Sequence, residues 1–220
     1  MRNMKLAVVL VISLSTFNHA KGQASPESSP HTRVSADELH KYMREPNGLE
    51  KLSAKVGDVE INDEEEVWGQ DDLSSLTQRS DVILAASISH RRSYLSQDGD
   101  SIDTQYELHP REALKGRIPS NPAFTTMGGS VVLSNGHTVT VHSELADELK
   151  LNGTYIFFFK EVDGRLTRVP SAQSALHLLE NEDKVELVKN RPIRDSKLTT
   201  DLGGLTIATV REKIRNIGMQ

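Results

Sequence analysis

The sequence predicts a mainly β protein, folded as a small closed or nearly closed antiparallel barrel with helices at both ends. Two long extended runs meet at Asp98-Gly99, and this dipeptide between two such runs is a strong signal for a β-hairpin. About eight short strands with regular turn residues between them are typical of a small barrel. Apolar residues at helical spacing near the carboxyl end predict an amphipathic helix.

The predicted hairpin spans residues 80–116 and organises the rest of the chain. Residues 82–88 form an apolar run that predicts a buried strand, and residues 89–95 continue this strand with mostly polar side chains. The chain then returns from residue 101 to residue 115. Later strands are expected to extend this hairpin into a sheet.

The later strands alternate with turn residues. Asn-Gly at 135–136 and Asp-Gly at 163–164 each join two short extended runs and accept the backbone angles of a tight hairpin. The predicted strands cover residues 124–127, 130–133, 138–141, 155–160 and 165–169. Residues 174–188 fit either a helix or a hairpin, and the turn-forming residues at 181–183 favour the hairpin.

Helices are predicted at three places. A Ser-x-x-Glu capping box begins a short helix in residues 35–43, and acidic residues at the positive end favour a second helix in residues 71–79. The C-terminal helix, capped by Thr206, has four apolar residues on one face: Ile207, Val210, Ile214 and Ile217. If its own barrel covers this stripe, no partner is needed, whereas a bare stripe would indicate a partner or an oligomer.

The first 24 residues predict a secretory signal. Arg2 and Lys5 give a positive start, residues 6–14 form the apolar centre, and a small-residue cleavage site ends at Ala24. The apolar run is short for a membrane span, and the alternative is an uncleaved interfacial anchor. We therefore expect export to the periplasm or to the medium.

Charge and cysteine content narrow the class of partner. Cleavage after Ala24 lowers Lys plus Arg from 26 to 23 against 31 Asp plus Glu, so the mature net charge is −8. This balance argues against nucleic acid, whose phosphates require a basic stripe. Without cysteine, the chain has neither disulfides nor a Cys-linked lipid anchor. The predicted partner is an envelope or extracellular protein or ligand, and no later stretch approaches transmembrane length.

The predicted organisation has four parts. Residues 1–24 are the signal peptide, and residues 25–70 are a flexible N-terminal segment with a short helix. Residues 71–190 form the β-barrel domain, and residues 191–220 are a linker and the C-terminal helix. Within the second part, the acidic residues 60–66 are interpreted as a solvated linker rather than as a cation site.

Several short motifs lie in order along the predicted strands and turns. They are Ser80-Asp81-Val82-Ile83, Tyr106 and Leu108, Leu114-Lys115-Gly116, Gly128-Gly129, Gly153-x-Tyr155 and Phe157-Phe158-Phe159. In these motifs the chain resembles a widespread group of uncharacterised exported proteins, and their order is similar to that of the netrin-like module of tissue inhibitors of metalloproteinases. The resemblance covers residues 71–188 and implies a small antiparallel OB-like (netrin-like) β-barrel. Those inhibitors chelate a protease zinc through an amino-terminal cysteine, so that activity does not carry over to a chain without cysteine.

No catalytic signature is present in the sequence. The G-x-S-x-G, H-E-x-x-H and phosphate-loop motifs are absent. His90 and His109 could approach each other across the hairpin, and Asp98, Asp100 and Asp103 offer the oxygen ligands that calcium prefers. However, position twelve of an EF-type loop beginning at Asp98 is His109 rather than Glu. We therefore predict no metal and no cofactor.

The predicted function is a non-enzymatic binding module. Barrels of this kind bind through one sheet face and the adjacent loops, and the candidate surface is His90, Arg91, Arg92 and Tyr94 on the central hairpin. For the two arginines the alternative is that they only keep the strand soluble. For the whole chain the alternatives are a hydrolase-like enzyme with an unrecognised His/Asp site in a concave pocket, and a structural accessory protein of the cell envelope.

Overall fold

The structure is a computed structural model that describes residues 9–11, 39, 41–62, 72–143, 149–169, 174–188 and 197–219. Its internal contacts divide the chain into two compact units. The first unit comprises Met1–Glu65, Ser93–Asp103 and Met127–Ser143, and the second comprises Glu66–Arg92, Thr104–Thr126 and Glu144–Gln220. Most of the predicted signal peptide, and most of the predicted helix in residues 35–43, lies outside the described residues.

The described residues form eleven strands and four α-helices. The strands are β1 (Val9–Val11), β2 (Val59–Asn62), β3 (Val82–Leu95), β4 (Ile102–Lys115), β5 (Ala123–Met127), β6 (Gly129–Val132), β7 (Thr138–His142), β8 (Thr154–Val162), β9 (Arg165–Arg168), β10 (Ala175–Leu179) and β11 (Lys184–Leu187). The helices are α1 (Gly48–Val56), α2 (Leu73–Arg79), α3 (Lys197–Leu202) and α4 (Ile207–Gly218). A mainly β fold is therefore confirmed.

The second unit is built on a seven-stranded sheet with the predicted hairpin at its centre. The order across the sheet is β11-β10-β8-β3-β4-β5, and β9 also pairs with β8. β3 and β8 are antiparallel from Val82 opposite Phe159 to Ser87 opposite Thr154. β10 and β11 are antiparallel neighbours, so the hairpin interpretation of residues 174–188 is confirmed.

Three helices cover one face of this sheet. Ile83, Ala85 and Phe158 on the sheet belong to the same buried cluster as the apolar residues of α2, α3 and α4. The Thr206 hydroxyl accepts the Thr209 N–H at 3.2 Å, which confirms the predicted helix cap. The apolar residues of α4 in this cluster are Ile207, Val210 and Ile214. Three of the four residues of the predicted stripe are thus covered by their own unit, whereas Ile217 is only half-buried.

The opposite face of the sheet encloses an aromatic cluster. Phe124 on β5 stacks on Tyr106 of β4 at a centroid distance of 5.2 Å, and it lies 5.3 Å from each of Phe157 and Phe159 on β8. In the sheet order, β4 and β3 lie between β5 and β8. In a flat sheet the distance between β5 and β8 would therefore be about 14 Å. The sheet therefore curls strongly, and β5 folds back over β8.

A side-chain hydrogen bond joins β5 to β9 across this curl. Phe159 pairs with Val82 of β3 on one side and with Arg168 of β9 on the other, so β9 lies at the far side of β8 from β3. Arg168 Nη1 donates to Thr126 Oγ1 on β5 at 3.2 Å. Among the described strands no backbone ladder joins β5 to β9, so closure of the barrel stays a prediction.

The first unit has a smaller sheet packed on helix α1. The order of its strands is β1-β2-β7-β6, with β2 and β7 parallel and the other neighbours antiparallel. Val59 and Ile61 on β2 are buried in one cluster with Leu49 and Leu52 of α1. The interpretation of residues 60–66 as a linker is therefore wrong for residues 60–62, because the alternating apolar side chains of β2 are buried.

Candidate binding surface

The predicted surface lies on the second half of β3. His90, Arg91 and Arg92 are all exposed and belong to the second unit. Since successive side chains of a strand point to opposite faces, His90 and Arg92 share one face of β3 and Arg91 lies on the other. Tyr94 is also exposed, at 38%, but it belongs to the first unit.

The backbone next to these residues is fixed by the segment that precedes β8. Ile88 N–H donates to Gly153 O at 3.2 Å, and Asn152 N–H donates to Ile88 O at 2.9 Å. Arg91 Nη1 then reaches Leu149 O at 3.5 Å, which is a long contact to a neutral acceptor. This contact could not be predicted from the sequence, because it joins residues 58 positions apart. The strand is therefore held in place while its basic side chains stay in contact with solvent.

Some other cations of the second unit are paired with carboxylates. Lys160 Nζ lies 3.1 Å from Asp81 Oδ1, and Arg215 forms an ion pair with Glu112. The Glu161 N–H and the Lys160 ammonium lower the pKa of Asp81, because both interact favourably with its charged form. Among the residues that the structure describes, His90 and Arg92 have no hydrogen-bond or ion-pair partner. The surface thus carries positive charge that the described part of the unit leaves unneutralised.

The motif residues at the start of β3 have structural roles. Ser80 Oγ donates to Leu76 O at 2.6 Å at the end of α2. Lys115 Nζ donates to Thr77 O at 2.8 Å, where the last carbonyls of a helix lack partners within the helix. A Cβ on Gly116 would lie 2.5 Å from Asp81 O, so this position accepts only glycine without a shift of the backbone.

The Gly153-x-Tyr155 motif is explained in the same way. The Tyr155 hydroxyl accepts the Lys150 N–H at 2.9 Å, and the Tyr155 ring stacks on His177 at 4.9 Å. A Cβ on Gly153 would lie 2.6 Å from the Tyr155 hydroxyl oxygen. A side chain at this position would therefore displace the buried ring. These motif residues hold the fold, and they assign no chemistry to the chain.

The first unit contains a surface His–Asp pair. His137 Nδ1 lies 3.6 Å from Asp58 Oδ1, and both side chains are about two-fifths exposed. Asp58 Oδ1 also accepts the Thr138 N–H at 2.8 Å, so this carboxylate helps to hold the start of β7.

The candidate metal ligands weighed from the sequence are His90, His109, Asp98, Asp100 and Asp103. Within the described ranges no group of three or more His, Asp or Glu side chains is arranged to hold a metal ion. Asp100 Oδ1 accepts a hydrogen bond from Ser96 Oγ at 2.8 Å, which is typical of a turn. Burial and the nearby Asp100 raise the pKa of Asp103.

No helix among the described residues is both long enough and apolar enough to cross a lipid bilayer. The chain matches no model of a known protein family and no curated protein.

Proposed function

We propose that this chain is an exported, non-enzymatic β-barrel module that binds an acidic protein partner through His90, Arg91 and Arg92. The observation that carries the proposal is the positive charge of this strand. Lys160 and Arg215 of the same unit have carboxylate partners, whereas Arg92 has none among the described residues and Arg91 contacts only a carbonyl. An acidic side chain from a partner would give these cations the charge-assisted hydrogen bonds that they lack.

The OB-like (netrin-like) barrel is part of this proposal. Its support is the contact of Phe124 on β5 with Phe157 and Phe159 on β8, together with the Arg168–Thr126 hydrogen bond between β9 and β5. Barrels of this type bind along one sheet face and its loops, and His90 and Arg92 share one face of β3. Slow hydrogen exchange of the amides at the facing edges of β5 and β9 would agree with closure, and fast exchange would contradict it.

Export is proposed from the first 24 residues alone. The charged start, the apolar centre and the small residues before Ser25 carry this part of the proposal. N-terminal sequencing of the protein recovered from the envelope and the medium tests it. A mature chain that begins near Ser25 is expected, and recovery of only the uncleaved chain in the cytoplasm would overturn it.

The binding test uses charge-matched variants of the full chain. Binding of a fluorescent hexaglutamate peptide is measured for the parent and for the variants Arg91→Ala/Arg92→Ala and Arg117→Ala/Arg165→Ala. The second pair removes the same charge from two exposed arginines elsewhere in the second unit. We expect at least about tenfold weaker binding for the first variant, less than about twofold change for the control, and weaker binding at high salt. Equal losses in both variants would show that binding is not localised to β3.

Cross-linking and capture from the envelope fraction then identify the natural partner. The variant in which His90, Arg91, Arg92 and Tyr94 are all alanine is compared with the parent. Loss of one specific, acidic cross-linked protein is expected. A variant that retains every interaction of the parent would overturn the assignment of this surface.

A further inference from the structure

The small sheet of the first unit has an edge that is filled by residues near the start of the chain. β1 pairs antiparallel with β2, with Val9 opposite Asn62, Leu10 opposite Ile61 and Val11 opposite Glu60. On its other side, β2 pairs parallel with β7 over its whole length. β2 is therefore an inner strand only because three residues of β1 lie beside it.

β2 also contacts parts of the first unit other than β1. Val59 and Ile61 are buried in the core of the first unit with Leu49, Leu52 and Val139. These side chains anchor β2 in the core of the first unit, beside β7. A strand held in this way presents a row of backbone N–H and C=O groups that can pair with another extended segment.

β1 lies within the residues that the sequence predicts to be removed as a signal peptide. Cleavage after Ala24 would remove Val9–Val11 from the sheet and leave the outer edge of β2 unpaired. β2 carries a single charged residue, Glu60, and charges are the usual protection of an exposed edge. The processed chain would then hold a preformed edge of the kind that binds peptides by strand addition.

We propose that the outer edge of β2 is an acceptor site for an extended apolar strand from a partner protein, and that Val9–Val11 fills this site until the leader is removed. The partner segment needs free backbone N–H and C=O groups and an apolar sequence, because the apolar segment Val-Leu-Val is what the edge accepts here. The role of the processed chain rests on the export proposed above. The ability of the β2 edge to accept a strand does not rest on export, since β1 already pairs with this edge in the unprocessed chain.

The first experiment measures hydrogen exchange of the β2 amides in the full chain. Leu10→Pro removes a backbone N–H from the centre of β1 and fixes its φ, whereas the control Leu10→Ala keeps the N–H and shortens the side chain. We expect the amides of residues 59–62 that face β1 to exchange at least about tenfold faster in Leu10→Pro than in the parent, and to stay protected in Leu10→Ala. Equal protection in all three proteins would overturn the proposal.

The second experiment supplies the strand in trans. A peptide of residues 6–14 is added to the Leu10→Pro chain, and the same peptide with proline at its own position 10 is the control. Restored protection by the first peptide alone is expected, whereas protection by neither or by both would overturn the proposal. Because this test uses the unprocessed chain, it gives a clear result even if the chain is never exported. Adding Arg91→Ala/Arg92→Ala to the Leu10→Pro chain should leave the protection by the apolar peptide unchanged, which separates this edge from the acidic-partner surface.

Discussion

Residues 82–88 and residues 89–92 belong to one continuous strand, yet they have opposite environments. Six of the first seven residues are buried, whereas all four that follow are exposed. The ladder with β8 explains the change, because it runs from Val82 to Ser87 and then ends. Before that point β3 has strands on both sides, helices on one face and aromatic rings on the other. The comparison indicates that one strand can carry the fold in its first half and leave its second half available for binding.

The largest effect is expected from a cavity in the first half of β3. Leu84 is fully buried in the aromatic cluster, so Leu84→Ala leaves a cavity and should lower the free energy of unfolding by about 2–5 kcal/mol. Urea denaturation measures this loss. The control Leu151→Ala removes the same atoms from a side chain that is 52% exposed, and it should change stability by less than about 0.5 kcal/mol. Similar losses in both would contradict the burial of this half.

A smaller loss of unfolding free energy is expected when a side chain is added at Gly116, which packs against the start of β3. Gly116 has φ +74°, and an added Cβ would lie 2.5 Å from Asp81 O. Gly164 has nearly the same φ, +73°, but an added Cβ there meets no atom within 4 Å. Gly164→Ala should therefore cost only the left-handed strain, about 1 kcal/mol, whereas Gly116→Ala should cost about 1–3 kcal/mol more. Equal unfolding free energies for the two variants would show that the contact at β3 is unimportant.

The sequence predicted the local features of this strand well. The Asp-Gly turn between two long runs placed both strands of the hairpin, and the change from apolar to polar residues after Ile88 predicted where burial ends. Thr206 and the helical spacing of Ile207, Val210 and Ile214 predicted a capped helix with one buried face. Such features depend on neighbours within a few positions, which is why a single sequence can reveal them.

The long-range features were not predictable from the sequence. The parallel pairing of β2 with β7 joins residues 80 positions apart, so periodicity indicates that Val59 and Ile61 face a core but not which strand lies beside them. The link from Arg168 to Thr126 and the contact from Arg91 to Leu149 have the same character. For the candidate surface, the sequence indicated that Arg92 would be exposed. It gave no sign that the arginine would lack an acidic partner among the described residues.

A modest pH effect is expected from the helix that leads into β3. Two groups lower the pKa of Asp72 from 3.8 to about 2. The Lys197 ammonium has the larger effect, and the Ser75 N–H, which lies 2.7 Å from Asp72 Oδ1, has the next largest. Because the pKa of Asp72 is lower in the folded state than in the unfolded state, its ionised carboxylate stabilises the fold. This stabilisation is complete when the pH is above the unfolded-state pKa of 3.8, and it is lost as the pH falls through the folded-state pKa of about 2. Lys197 is mostly exposed, so solvent screening reduces the contribution to about 1 kcal/mol.

Unfolding of the parent and of Asp72→Asn at pH 6 and at pH 2 measures this contribution. The difference in unfolding free energy between the two proteins should shrink by about 1 kcal/mol at the lower pH. The control Glu107→Gln removes an exposed carboxylate from β4, and its difference from the parent should change less. A pH-independent difference for Asp72→Asn would contradict the pairing with Lys197.

The smallest effect on stability is expected in the second half of β3. Arg91→Ala/Arg92→Ala removes two exposed side chains, one without a described partner and one with a single long contact at 3.5 Å, so the unfolding free energy should change by less than about 0.5 kcal/mol. Urea denaturation at pH 7 measures this change beside the binding of the hexaglutamate peptide. A stable variant that no longer binds would separate the two halves of β3 by role. A destabilised variant would instead place both arginines in the fold, and any loss of binding would then reflect the loss of the folded strand.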